Sequence, residues 1–178
     1  MGLLCSFHKP LIFKTMKTFF SIILLFLTTH LAVGQDDGTK AEKFGNATID
    51  KYIASVTEFA NKQKGLSSTL LKLDGDIDKA SKEEDESAID GLLVRFKDLE
   101  GSYKSLDADS KQLSTEGTSA SKASSQCGTK APKCAEGVKK ATALLDSSTK
   151  AIVTDKTKMT ELKAKAEAAK KKIGGSGE

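Results

Sequence analysis

The chain has 178 residues, 38% of them hydrophobic, and its 28 basic and 24 acidic side chains give a formal charge of +4. It contains two histidines, three cysteines and no tryptophan. Such a small basic excess does not indicate a nucleic-acid-binding protein, whose binding face carries a strong positive charge.

Residues 16–34 have the composition of a secretory signal peptide. A lysine follows Met16, an apolar run covers Phe19–Leu27, and small residues precede a cleavage site between Gly34 and Gln35. The apolar run is too short to cross a bilayer, which takes about 20 residues. We therefore expect residues 1–34 to be removed and the protein to be secreted and extracellular.

Two points about this amino-terminal region stay open. Met16 begins a better signal peptide than Met1 does, so residues 1–15 are interpreted as an upstream extension, with either methionine as the true start. A longer membrane anchor, in which Thr28–Val33 extends the apolar segment, is the alternative to a cleaved peptide.

Removal of residues 1–34 takes away three lysines, both histidines and Cys5, which leaves 25 basic and 24 acidic side chains. Without histidine, the secreted chain has no Ser–His–Asp or Cys–His catalytic arrangement and no histidine-containing metal site. Paired carboxylates could still act as acid and base, but no pair stands out. We expect no enzyme activity, no catalytic residue, no cofactor and no bound metal.

Two heptad patterns run in opposite order about residues 84 and 85 and predict two long helices. When the first pattern is paired with the second in reverse, each pair of residue numbers adds to 169. An antiparallel helical hairpin with alternating a and d layers produces this symmetry. A single long bent helix is the alternative, because no glycine or proline marks a turn in residues 81–88. Ser81 and Ser87 are the candidate helix caps there. The first pattern is Ile49, Tyr52, Val56, Phe59, Gln63, Leu66, Leu70, Leu73, Ile77 and Ala80; the second is Ile89, Leu92, Phe96, Leu99, Tyr103, Leu106, Ser110, Leu113, Gly117 and Ala120.

A third pattern follows Pro132, which suits the first turn of a helix. The three patterns predict an all-α fold, an elongated antiparallel up-down-up three-helix bundle with a coiled-coil-like heptad seam. The predicted helices cover about 47–81, 88–126 and 132–173, within a bundle of residues 46–173. Residues 35–45 form a flexible lead-in and residues 174–178 a flexible tail. The third pattern is Val138, Ala141, Leu145, Ser148, Ile152, Asp155, Met159, Leu162, Ala166, Ala169 and Ile173.

One feature of the seam supports the predicted packing, and another weakens the prediction of a continuous second helix. The pairing places Tyr52 opposite Gly117, large against small, as close packing requires. Residues 114–126 contain no large apolar side chain, and helix propensity alone would not hold them helical.

Cys127 and Cys134 lie seven residues apart. On one continuous helix their Cα atoms would be about 10.5 Å apart, whereas a disulfide requires less than about 7 Å. Gly128 and Pro132 can break the helix between them. In an oxidising compartment we therefore expect an intramolecular disulfide, with a bond between chains as the alternative.

Asn46-Ala47-Thr48 is an N-glycosylation acceptor sequence close to the expected mature terminus. Such a site would make the secreted chain a glycoprotein. The alternative is that Asn46 only caps the first helix, because asparagine is a favoured N-cap residue.

The sequence predicts a secreted, non-enzymatic helical bundle that binds another extracellular macromolecule through its surface or has an extracellular structural role. One alternative is an exchangeable carrier of lipid or a small apolar ligand. The seam is mostly a narrow two-in-seven stripe, which fits packing between helices better than lipid binding. Membrane or lipid binding is therefore not favoured. The other alternative is an obligate coiled-coil oligomer, so the oligomeric state stays open.

Overall fold

The computed structural model of the chain describes residues 43–175, which are almost entirely helical and contain no strand. Helix α1 covers Ala47–Lys82, α2 covers Glu86–Ser124 and α3 covers Ala131–Gly174. A short 3-10 helix, Ser125–Lys130, joins α2 to α3. The predicted signal peptide, its cleavage site and most of the lead-in lie outside the described residues.

Asn46 precedes helix α1, and its side chain caps the helix. Asn46 Oδ1 accepts hydrogen bonds from the backbone N–H groups of Thr48 at 3.1 Å and Ile49 at 3.4 Å. These bonds satisfy two of the amide groups that have no partner within the helix. The preceding Gly45 has a φ of +78°, a backbone conformation that glycine adopts without steric cost.

The chain turns between α1 and α2 at residues 83–85, so a single long helix through this segment is ruled out. Glu84 adopts the left-handed conformation with a φ of +53°. The N–H of Asp85 donates to the carbonyl of Ala80, and Asp85 Oδ1 accepts from the N–H of Ala88. The predicted caps, Ser81 and Ser87, were wrong. Asp85 caps α2 because its short carboxylate stands one residue before the first helical turn.

The predicted disulfide is confirmed, and it lies where the chain kinks between α2 and α3. Gly128 leaves the helical conformation, with a φ of +58° and a ψ of −128°. This kink brings the Cα atoms of Cys127 and Cys134 to 6.6 Å, and the two sulfurs are bonded. Helix α2 ends at Ser124, two residues before the predicted end. Pro132 lies in the first turn of α3, where it loses no hydrogen bond.

The inward faces of the three helices form one continuous hydrophobic core. Most of the predicted seam residues are buried, which confirms the heptad assignment; Leu66, Ser110, Asp155 and Ile173 are half-buried. Removing a large aliphatic side chain from water stabilises the fold by about 1.5–3 kcal/mol, so the core is a large favourable term. The largest side chains below 2% exposure are Tyr52, Tyr103, Phe96, Ile49, Leu70, Leu73, Ile77, Ile89 and Ile152.

Tertiary packing holds the second half of α2 in a helical conformation. Gly117 and Ala120 are buried there, and a Cβ atom added at Gly117 would lie 2.8 Å from Tyr52 Oη. The predicted large-against-small match of Tyr52 and Gly117 is therefore present. Small side chains let α2 approach α1 closely, and this contact compensates for the low helix propensity of the segment.

Candidate functional site

The sequence-predicted site residues within the described part of the chain lie at or beside the ends of helices. Cys127 is half-buried, and Cys134 is fully buried in the core. Asn46 is half-buried at the start of α1. The expected cleavage site, Gly34 and Gln35, falls outside the described residues. No catalytic, cofactor or metal residue was predicted.

The cap at Asn46 leaves its side chain able to carry a glycan. Both capping bonds use Oδ1, whereas a glycan is attached to the amide nitrogen Nδ2. Thr48, the third residue of the acceptor sequence, is exposed. Capping and glycosylation are therefore compatible at this residue, and glycosylation stays a prediction.

The two residues before Asn46 are held in place, although the sequence placed them in a flexible lead-in. Asp50 accepts hydrogen bonds from the N–H of Phe44 at 2.7 Å and from the N–H of Gly45 at 3.2 Å. The Phe44 ring packs against α3 at Gly137, where an added Cβ would come within 2.5 Å of the ring. Phe44 therefore contacts the core as a partly buried side chain.

A surface groove of about 350 Å³ lies between α1 and α3 beside Phe44, and we call it the Phe44 groove. Its apolar lining comes from Phe44, Ile53, Ala141 and Leu144. Its polar lining comes from Thr57, Lys133, Glu136 and Lys140, with Gly137 between the two groups. Glu136 and Lys140 form an ion pair of 2.7 Å. Lys133 forms no ion pair among residues 43–175.

Part of the lining of this groove is visible in the heptad pattern. Ile53 and Leu144 flank the heptad stripe and widen it. Nothing in the helical period points to Phe44, because it lies before the first capped turn. The one sequence feature that could have indicated this contact is Gly137, a residue without a side chain inside a helix, where a neighbouring ring can approach.

Polar side chains interrupt the core about halfway along the three helices, and we call them the polar cluster: Gln63 and Ser67 of α1, Tyr103 of α2 and Asp155 of α3. Gln63 Nε2 donates to Ser67 Oγ at 2.7 Å and to Asp155 Oδ2 at 3.1 Å, and Ser67 Oγ donates to Asp155 Oδ2 at 2.5 Å. The Tyr103 hydroxyl is buried beside them without a hydrogen bond. Burial, followed by the charge of Asp155, raises the pKa of Tyr103. A polar group placed in this way fixes the register of packed helices at some cost in stability.

Ion pairs join α3 to the other two helices along their exposed edges. Lys165 contacts both Asp74 and Asp78 of α1, each at 2.7 Å. On the α2 side, Lys156 pairs with Asp107, Lys163 with Glu100 and Lys170 with Asp90. The aspartates of the Asp74–Asp78 segment thus bind a lysine and, at Asp76, an arginine of α2, Arg95.

Residues 43–175 contain no group of three or more side chains that could hold a metal ion. Within the same range, no helix combines the length and the apolar character needed to cross a membrane. No known protein family, no curated protein and no solved structure matches this chain.

Proposed function

We propose that this chain is a secreted, non-enzymatic protein that binds another extracellular macromolecule through its outer surface or has an extracellular structural role. The observation that carries this proposal is the filled interior. The inward faces of all three helices belong to one core cluster, so recognition falls to the outward faces. The disulfide between Cys127 and Cys134 is compatible with an extracellular location.

We further infer that the three helices form an antiparallel up-down-up bundle. Between α1 and α2, the contacts Tyr52–Gly117 and Asp76–Arg95 run in opposite numerical order, as antiparallel neighbours do. Between α1 and α3, the contacts Tyr52–Thr142 and Asp74–Lys165 rise together, as parallel neighbours do.

Contacts between α2 and α3 support the same order. Ser110 bonds to Thr149 at 2.9 Å, whereas Asp90 pairs with Lys170, so one number falls as the other rises. Helices of 36, 39 and 44 residues extend about 54–66 Å at 1.5 Å per residue. The proposed bundle, within residues 43–175, is therefore long and narrow.

The obligate oligomer is the less favoured alternative. In the single chain the seam is already covered, because Ile49, Phe96 and Ile152 are each at most 1% exposed. An obligate coiled-coil partner would require an uncovered seam. The carrier alternative requires the bundle to open on lipid, and the disulfide and inter-helix ion pairs oppose such opening at one end and along the edges.

The proposal is tested by photo-crosslinking from each face of the bundle. Leu71, Val94 and Val153 are exposed by 61%, 57% and 63% and lie on α1, α2 and α3. A photoreactive amino acid at each position, in the secreted protein, is mixed with the native extracellular fluid and irradiated. We expect one strong adduct from one face, competed by excess unlabelled protein.

A buried position, Val56, serves as the control for non-specific labelling. Equal labelling from all three faces, or none, contradicts a binding function.

Mixing with lipid vesicles tests the carrier alternative. Because the described residues are already almost entirely helical, the informative readout is molecular shape by small-angle scattering, which we expect to stay constant.

A further inference from the structure

We propose that the Phe44 groove is a binding site for a medium-chain aliphatic carboxylate, such as a free fatty acid. This inference goes beyond the proposed function, because it concerns a small ligand on the closed bundle. It would hold even if the chain had no macromolecular partner.

The groove is open to solvent and large enough to hold a small ligand. Its volume of about 350 Å³ lies at the lower end of the range of about 300–1,000 Å³ that is usual for such sites. Ile53 of α1, Leu144 of α3 and the Phe44 ring give it apolar walls, and Ala141 is buried at its base. Leu144 is 36% exposed, a large apolar side chain left partly in contact with water.

The Phe44 ring is an apolar wall of the groove that is already packed against α3. The ring lies on α3 because Gly137 has no side chain to exclude it. Asp50 and the left-handed Gly45 hold the backbone that carries the ring. The wall is therefore built before any ligand arrives, which lowers the entropic cost of binding.

The charge of the rim selects an anionic head group. Two lysines and one glutamate line the groove, and Glu136 is already engaged by Lys140. Lys133 also lines the groove and has no ion pair within the described residues. A carboxylate paired with Lys133 keeps its charge near water while an unbranched aliphatic tail lies along Ile53 and Leu144.

The test uses decanoate, titrated into the secreted protein at low ionic strength and followed by calorimetry. We expect one saturable site with a Kd of about 10–300 µM. Leu144→Asn should weaken binding about five- to twentyfold, because it removes apolar contact. Lys133→Gln should weaken it about two- to fivefold, as expected for an exposed ion pair.

Matched controls lie on the same helix but outside the groove. Val153→Asn and Lys139→Gln change an exposed valine and an exposed lysine of α3, and neither should change the affinity by as much as twofold. The neutral analogue 1-decanol should bind more weakly than decanoate. Because all four changes are at exposed residues, circular dichroism is expected to show the folded helical content in each variant.

Three results would overturn the proposal. One is the absence of saturable binding by the unmodified protein, which needs no variant. Another is an equal effect of each groove variant and its control, or equal affinity for decanol and decanoate. The last is an increase in the radius of gyration at saturating decanoate, which would indicate opening of the bundle rather than occupation of the groove.

Discussion

At the scale of single residues, the glycines inside α1 and α2 divide into two classes, which differ in what a side chain at each position would contact. Gly65, Gly75, Gly91 and Gly101 lie inside helices on exposed faces, and an added Cβ at any of them would meet nothing within 4 Å. Gly117 is buried against Tyr52, where an added Cβ would have to displace a core side chain.

We expect an alanine at any of the four exposed positions to stabilise the protein by about 0.5–1 kcal/mol, because glycine is a poor helix former. Gly117→Ala should destabilise it by about 1–3 kcal/mol through overpacking. Urea denaturation followed at the helix band measures both effects. A loss of stability at Gly65 or Gly91 would mean that the exposed glycines make a contact outside the described fold.

Tyr103 gives a second residue-level prediction. Burial and the nearby Asp155 raise the pKa of its hydroxyl, so the folded state holds this proton more tightly than the unfolded state. This contribution to stability is complete below the ordinary tyrosine pKa of about 10 and is lost as the pH rises above it.

The chain has two tyrosines and no tryptophan, so Tyr52→Phe leaves Tyr103 as the only tyrosine. In this variant, we expect the tyrosinate absorbance to rise only together with loss of helix. Full ionisation near pH 10 with the helical signal intact would contradict the burial of Tyr103.

At the scale of elements, the turn between α1 and α2 carries a strained residue. Glu84 is the one described non-glycine residue with positive φ, a conformation that costs a residue with a side chain about 1 kcal/mol or more. Glu84→Gly should therefore stabilise the protein by about 0.5–1 kcal/mol. Glu83→Gly, at a residue with a φ of −82°, is the matched control and should not stabilise it. The urea concentrations at the unfolding midpoints of the two variants, compared at equal denaturant slope, measure this difference in stability.

The other junction is held covalently. Reduction of the bond between Cys127 and Cys134 should lower the free energy of unfolding by about 2–3 kcal/mol on the chain-entropy model. Amide hydrogen exchange should rise first in the second half of α2, where packing depends on small residues. Cys127→Ala should be insensitive to reductant, and a similar response in that variant would assign the effect to something other than this bond.

The elements also show what a sequence can predict. Helix positions and the buried face followed from the heptad pattern, since large apolar residues must be covered. The disulfide followed from the distance that a continuous helix would impose. The cap at Asp85 was missed because Asp85 lies within the acidic run from Glu83 to Glu86, where charge hides the capping role. The packing of the Phe44 ring against α3 was not predicted, because it depends on contact with Gly137, a residue 93 positions away.

At the scale of the whole molecule, ion pairs between helices link stability to pH. Hydrogen bonding to Lys165 lowers the pKa of Asp78. Burial lowers the pKa of Lys165, but the hydrogen bonds that Lys165 donates to Asp74 and Asp78 outweigh burial and raise it. The Asp78 contribution is present above the ordinary aspartate pKa and is lost as the pH falls. The Lys165 contribution is present below the ordinary lysine pKa and is lost at high pH.

Stability should therefore be highest between about pH 5 and pH 9 and fall on both sides. Lys165→Met should reduce the difference in unfolding free energy between pH 7 and pH 3, because Asp78 loses its partner. Lys150→Met, at an exposed lysine of the same helix, should leave this difference unchanged. Equal responses of the two variants would contradict a role for the inter-helix pair.

The contact between Phe44 and Gly137 also determines how the molecule would bear mechanical load. It places the start of α1 against the first turns of α3, whereas α3 ends at Gly174, about 55 Å further along the helix. The two ends of the described chain are thus separated by nearly the full length of α3. In the proposed up-down-up bundle, a pulling force applied at these ends would shear the helices along one another instead of peeling them apart turn by turn. Shear loads many buried side chains at once, so a chain tethered at both ends would resist extension as a single unit.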